Sequence, residues 1–337
     1  MKKLKRIFAV FFCLLLAAGI LGGCGKAASS SALAPSALQS GNKPLKIVTT
    51  IFPEYDWVRE ILGDKADYAE VTMLLDNGVD LHSYQPTADD IIKISDCDLF
   101  LYVGGESDGW VEDALKEATN QNMKVINLLD VLGEQVKEEE VVEGMEGEEE
   151  EEADEEEGPE YDEHVWLSLK NAETLCSTIT DALEEIDPAN KDAYATNAAS
   201  YLEKLAALDG EYQTVADNAA RKTVLFGDRF PFRYLVDDYG LRYYAAFAGC
   251  SAETEASFET ISFLAGKVDE LGLPCVLTIE GAQHKIAETI VQNTAEKNQS
   301  ILTLDSMQST TSTDVANGTT YLSVMESNLD VLKQALN

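Results

Sequence analysis

Glu160-Tyr-Asp-Glu-His-Val-Trp-Leu-Ser-Leu-Lys-Asn171 is the stretch on which the reading of this chain turns. An acid-rich run precedes it. From Trp166 apolar residues recur at helical spacing to Ile186, stop at Asp187-Pro188, and resume from about Ala189 to Asn218. So much helix without a strand reads as a link between two separate halves.

Both flanks support that division. Upstream, strands are expected at Leu45–Ile51, Tyr68–Leu75, Leu99–Val103 and Lys124–Leu129. Helices are expected between them at Pro53–Leu62, Thr87–Ile94 and Gly109–Thr119. Downstream the alternation returns, with strands at Lys222–Phe226, Leu241–Phe247, Cys275–Ile279 and Ile301–Leu304. Its helices are Tyr234–Tyr239, Ser257–Leu271, Ala282–Lys297 and Tyr321–Leu336. Alternating strand and helix implies parallel sheets covered by helices. The fold class is therefore α/β: two lobes, each a mostly parallel sheet flanked by helices, joined by a long helical linker. A site is expected in the cleft, where loops from the carboxyl ends of both sheets meet. The expected boundaries are an N-terminal lobe at 45–165, linking helices at 166–220 and a C-terminal lobe at 221–337.

The formal net charge is −36, and 17 acidic residues with no basic one lie between Glu138 and Glu163, so close to half of the excess sits in one run. Such a surface repels nucleic acid and attracts cations. With few apolar residues, the segment 134–163 reads as a disordered acidic loop, either an antenna for cations or a solvated spacer. At the other end, Lys2, Lys3, Lys5 and Arg6 precede the apolar run Ile7–Leu21, the pattern of a secretory signal (1–23). Leu21-Gly22-Gly23-Cys24 resembles the lipobox of bacterial lipoproteins, which implies lipidation at Cys24 and a Ser/Ala/Gly tether over 24–44. Cys97, Cys176, Cys250 and Cys275 lack CxxC spacing, so a thiolate knuckle is not expected. Cys250, just after one strand-like run, and Cys275, which opens another in the same half, are either a disulfide pair or two buried thiols.

Only three histidines occur, His82, His164 and His284, and each stands at a loop-to-helix or strand-to-helix junction. His82 lies in Asp80-Leu-His-Ser-Tyr-Gln-Pro86, His164 follows Asp162 and Glu163, and His284 lies in Glu280-Gly-Ala-Gln-His-Lys285. That placement suits convergence on one cation, with neighbouring carboxylates such as Glu163 and Glu280 orienting the rings. A metallohydrolase would need a signature such as HExxH, and none is present; a non-enzymatic metal binder is expected.

From Lys43 to Asn337 the chain resembles the metal-binding lipoproteins of bacterial ABC importers for zinc and manganese, the cluster A-I solute-binding proteins. His82-Ser-Tyr-Gln-Pro86 is similar to that family's first ligand motif and Asp162-Glu-His-Val-Trp-Leu-Ser-Leu-Lys-Asn-Ala172 to its second. The family also places a charged loop before the second motif, and here that loop is acidic without histidine. Where the family usually carries a third His, upstream of Tyr239-Gly240-Leu241, this chain has Arg229, which cannot ligate a cation. The resemblance makes adjacent Asp228 the nearest replacement. It also sets His284 close to a ligating Asp of some members, so His284 is expected to supply the third imidazole.

Three imidazoles with a carboxylate or water suit Zn(II); manganese would prefer more oxygen, and ligand type does not separate zinc from copper or nickel. The resemblance implies a monomeric zinc-binding protein held outside the cytoplasmic membrane by its lipid, handing its ion to an ABC permease. Manganese import and metal-stabilised surface adhesion are the alternatives.

Overall fold

The computed structural model describes residues 43–146, 160–251, 255–281 and 284–337. The expected signal peptide, Cys24 and nearly all of the tether lie outside the described residues, as does 147–159 of the acidic loop. No helix among the described residues is long and apolar enough to cross a membrane.

The first half runs β1 (Leu45–Thr49), α1 (Phe52–Leu62), β2 (Ala69–Met73), α2 (Ala88–Ser95), β3 (Leu99–Tyr102), α3 (Val111–Lys116), β4 (Lys124–Asn127) and α4 (Leu128–Leu132). Two long helices follow, α5 (Leu169–Ile186) and α6 (Lys191–Asn218). The second half runs β5 (Thr223–Phe230), α7 (Arg233–Asp238), β6 (Arg242–Ala248), α8 (Phe258–Leu271), β7 (Cys275–Thr278), α9 (Lys285–Asn293), β8 (Ser300–Thr303), α10 (Ser312–Ala316) and α11 (Tyr321–Ala335). The sheets are β2-β1-β3-β4 and β6-β5-β7-β8, every pairing parallel. The two-lobed α/β fold is thus the one the alternation implies.

Helix α6 buries Tyr194, Ala198, Tyr201, Leu205, Leu208, Tyr212 and Ala216, a stripe at three- and four-residue intervals. That stripe packs on α5, α1 and α11, so the linker is part of the core. Buried hydrogen bonds tie the layers: Tyr321 donates its amide to Asp56 (2.9 Å) and its hydroxyl to the Trp166 carbonyl (2.7 Å). The Trp166 indole donates to the Ser306 carbonyl (2.9 Å).

The acidic segment departs from expectation, because the described residues at its two ends are ordered. Glu139 donates its amide to the Glu160 carbonyl and Asp162 to that of Lys137, both at 2.9 Å. The Tyr234 hydroxyl closes the neck, accepting from the Lys137 amide (3.0 Å) and donating to the Asp162 carbonyl (2.8 Å). Glu146 then pairs with Phe247 on the free edge of β6, Arg233 takes Glu140 at 3.0 Å, and Met145 joins the apolar core. The physical reason is that bases on the second lobe, which a count of the segment alone ignores, neutralise its roots.

The second difference is at the cysteines. Cys97, Cys176, Cys250 and Cys275 are all free, so the Cys250–Cys275 disulfide does not form. Phe226 on β5 pairs with both Ala245 and Leu277, which fixes the level of the two neighbouring strands. Cys275 begins β7 at the amino edge of the sheet, whereas Cys250 follows β6 at the carboxyl edge. At about 3.3 Å per residue those edges are roughly 16 Å apart, far beyond the reach of a disulfide.

Candidate metal centre

The cleft gathers loops from the carboxyl ends of both sheets. On the first lobe, His82 sits in a one-turn helix after β2 (Leu81–Ser83), capped by Asp80, whose carboxylate accepts the His82 amide at 3.0 Å. His82 Nδ1 lies 2.8 Å from the Ser107 hydroxyl, in the loop after β3, and 3.5 Å from Glu163 Oε2. Glu163 is buried, and its Oε1 accepts the Ser107 amide at 2.9 Å. Gly105 makes that approach feasible: its φ is +79°, and a Cβ there would lie 2.3 Å from Glu163 Oε1.

His164 opens the turn Val165–Leu167 and is fully buried, its ring 5.3 Å from that of Trp166. Its amide and its Nδ1 both donate to Asp162 Oδ1, each at 2.9 Å. With Nδ1 of both rings committed to oxygen, Nε2 of each is left to carry a lone pair. The two Nε2 atoms face each other at 3.2 Å. Two lone pairs at that distance repel unless a shared proton or a metal cation lies between them. Two nitrogens bound at ~2.0–2.1 Å to one tetrahedral zinc ion would be about 3.4 Å apart, close to what the rings already adopt.

Electrostatics agree with that reading. Burial, then the charge of His164, hold His82 down at about 3. Burial also presses on His164, but the charge and hydrogen bond of Asp162 and the charge of Glu163 outweigh it and raise the group above its ordinary range. The opposite shifts make His164 the ring that takes up an added proton and His82 the ring that accepts its hydrogen bond, and a metal ion would replace that proton. Burial raises Glu163 as well. A cavity of about 270 Å³ opens beside the rings, with Glu106, Glu139, Glu160 and Glu163 in its walls.

The second lobe contributes differently. Arg229, on β5, reaches across to Asp80 at 2.6 Å and donates to the Ser251 carbonyl at 3.4 Å. Asp228 has its carboxylate turned to backbone, accepting from the amides of Arg229 (2.9 Å) and Ile279 (3.3 Å). Glu280 likewise holds the loop 306–309, accepting from Ser306, Gln308 and Ser309. It acts on His164 only at a distance, through the Ser306 carbonyl and the Trp166 indole. His284 immediately precedes α9, next to Asp228, with its Nδ1 buried and unpartnered among the described residues. The structure does not bring His284, Asp228 or Glu280 to the facing imidazoles. The reason is local: each belongs to the loops above β5 and β7, where backbone amides claim both carboxylates.

Cys250 is there instead. One nitrogen of each ring and the Cys250 sulphur lie within 4.8 Å of one another, the one such group of three among the described residues. Burial, then Glu139, Asp162 and Glu163, raise its thiol above the ordinary range. Cys250 lies between β6 and α8, the kind of strand-to-helix junction that singled out the histidines, and that signal could have found it.

A two-lobed parallel α/β fold with paired imidazoles in an acidic interlobe cleft defines a metal-binding protein of the solute-binding type. Residues 47–335 match the family described as ZnuA, zinc-uptake complex component A, periplasmic, and the chain belongs to it. It is 32% identical over 294 residues to the zinc-binding lipoprotein AdcA of Streptococcus pneumoniae serotype 4, covering 86% of this chain and 55% of that protein. The chain thus spans about half the length of that relative. It is also 32% identical over 337 residues to the high-affinity zinc uptake system protein ZnuA of Bacillus subtilis strain 168, covering 99% of this chain and 98% of that protein. Among solved structures, the Zn(II)-bound ZnuA-like domain of Streptococcus pneumoniae AdcA superposes with a TM-score of 0.67 at 30% identity, covering 87% of this chain and 99% of that one.

Proposed function

We propose that this protein is an extracytoplasmic zinc carrier that binds one Zn(II) in the interlobe cleft and delivers it to an ABC importer, with no catalytic step of its own. The observation that carries this is the pair of Nε2 atoms at 3.2 Å, each with its Nδ1 fixed by an oxygen, a geometry that wants a cation. Nitrogen donors favour zinc over manganese, and the names of the relatives point the same way. The apolar leader and Cys24 fit a lipid anchor, which would keep the carrier beside a membrane permease.

The decisive experiment is elemental analysis of the protein as isolated, followed by competition among zinc, manganese and copper. One equivalent of zinc, retained against a moderate chelator and not displaced by excess manganese, is expected. Isolation with manganese, or no tight equivalent of any metal, sinks the reading. Zinc-limited growth that is unaffected by deleting the gene would remove the transport role while leaving the binding.

A further inference from the structure

We infer that the Cys250 thiolate is the third protein ligand of the cleft, so that the ion is held by two imidazoles and one sulphur. This rests on the zinc-carrier reading and specifies its donor set.

Four observations converge on it. The sulphur and the two rings already lie within 4.8 Å of one another. A tetrahedral zinc with nitrogens at ~2.0–2.1 Å and sulphur at about 2.3 Å needs N–S separations of roughly 3.6 Å, so a modest closing motion completes the set. The backbone is held on both sides of the thiol: the Cys250 amide donates to Glu139 at 3.0 Å, and the next carbonyl, of Ser251, accepts from Arg229. The loop also needs a glycine to come this close, because a Cβ on Gly249 would lie 3.0 Å from His164 Cε1 and 3.0 Å from the Phe230 carbonyl oxygen. Gly249 lets the chain graze the imidazole and puts the next side chain at the metal position.

The wider site points to a ligand as well. Glu163 has only 3% of its side chain exposed, and its Oε2 has no hydrogen-bond partner among the described residues while facing His82. Arg229 occupies the position at which an imidazole was sought from the sequence. Its guanidinium is committed to Asp80, so it cannot supply a donor, and the residue it supports two positions from Gly249 flanks the thiol. Sulphur in place of nitrogen also favours zinc over manganese, since soft thiolates select Zn(II) and Cu(I) while oxygen suits Mn(II). On binding, the thiol loses its proton as the S–Zn bond forms, and that proton passes to solvent or buffer.

X-ray absorption at the zinc edge of the full chain, thiols reduced and loaded with one equivalent, tests the inference without any variant. A sulphur shell at about 2.3 Å beside nitrogens at ~2.0–2.1 Å is expected. In Cys250→Ala that shell should vanish and zinc should bind about 100-fold or more weakly, beyond the loss typical of residues that merely orient ligands. Tight zinc with a shell of nitrogen and oxygen alone would overturn the assignment of Cys250 and leave the carrier reading standing. Failure of the unaltered protein to bind zinc tightly would remove the carrier reading itself. If His284→Ala abolishes tight binding while Cys250→Ala does not, the third ligand is His284 and the inference falls.

Discussion

The two lobes build their sides of the cleft by different means. On the first lobe, every polar atom near the rings has an assigned partner or faces the rings: Ser107 and Glu163 fix His82, Asp162 fixes His164, and Gly105 admits Glu163. On the second lobe, Asp228 and Glu280 spend their oxygens on backbone amides and, for Glu280, the Ser306 hydroxyl, and Arg229 reaches across the cleft to an acid. The first side is preorganised for a cation, whereas the second serves mainly to position one loop. On the proposed reading, such a division would let an ion dock first on the paired imidazoles and be completed from the opposite lobe.

The comparison breaks most sharply if the imidazoles prove dispensable. Structural zinc sites are worth about 10–16 kcal/mol over four ligands, so one ligand carries on the order of 3–4 kcal/mol. His164→Ala or His82→Ala should therefore weaken zinc binding by roughly 100- to 1000-fold in a chelator-competition titration. His164 is the harsher loss, because its removal also takes the imidazole from the buried Asp162 carboxylate and leaves that group only the amide of residue 164. A loss below tenfold for either would mean that the first lobe does not hold the ion.

The next effect is that of pH, and its sign follows from the pair. His164 is raised above its ordinary value near 6.5, whereas His82 is held down at about 3. Zinc must displace a proton from His164 but meets none on His82. Below the elevated His164 value two protons leave on binding, one from His164 and one from the Cys250 thiol, so the dissociation constant should rise about a hundredfold for each pH unit of fall. For stability without metal the direction is opposite: a raised imidazole stabilises the fold below its unfolded value, and that contribution is lost as pH rises through the folded one. Isothermal titration at stepped pH measures the slope, and a slope of three, with His82 releasing a proton as well, would overturn the asymmetry between the rings.

How much of this could be read from the chain alone differs between the lobes in the same way. The alternation of strands and helices carried the α/β class, and two local motifs marked His82 and His164, although Ser107 and Glu163, which fix His82, lie far from it along the chain. Asp162, Glu163 and His164 are successive residues, so periodicity and position suffice. Strand β5 was harder: Gly227, Asp228 and Arg229 interrupt its apolar run, yet a register irregularity between Phe226 and Arg229 lets the strand continue to Phe230. That continuation is what aims Arg229 at Asp80, 149 residues away, a contact no local pattern encodes. The place of His284 turns on a related matter. A His at a helix start matches the rule, but whether its loop reaches the cleft depends on how Asp228, Glu280 and the loop 306–309 share their hydrogen bonds. The ordered roots of the acidic segment were hidden likewise, because Lys137 is local but Tyr234, Arg233 and the β6 edge are remote.

The smallest effect concerns the ion pair that joins the two sides. Asp80 and Arg229 are 24% and 18% exposed at 2.6 Å, between a surface pair and a buried one. Exposed pairs couple by about 0.2–1 kcal/mol and desolvated ones by more, so a double-mutant cycle with Asp80→Asn and Arg229→Gln should give about 1–2 kcal/mol by chemical denaturation. Burial disfavours the Asp80 carboxylate, but Arg229 outweighs it and holds the group below its ordinary range. The coupling should therefore persist at neutral pH and fade as pH falls through the acid range. Because the same guanidinium supports the Ser251 carbonyl, Arg229→Gln should also loosen the Cys250 loop and weaken zinc binding modestly, while Asp80→Asn, which leaves Arg229 in place, should cost less. Additive stabilities in the cycle, with no effect of either change on zinc, would mean that the lobes meet at the cleft without a clasp and that the second side is set by its own backbone alone.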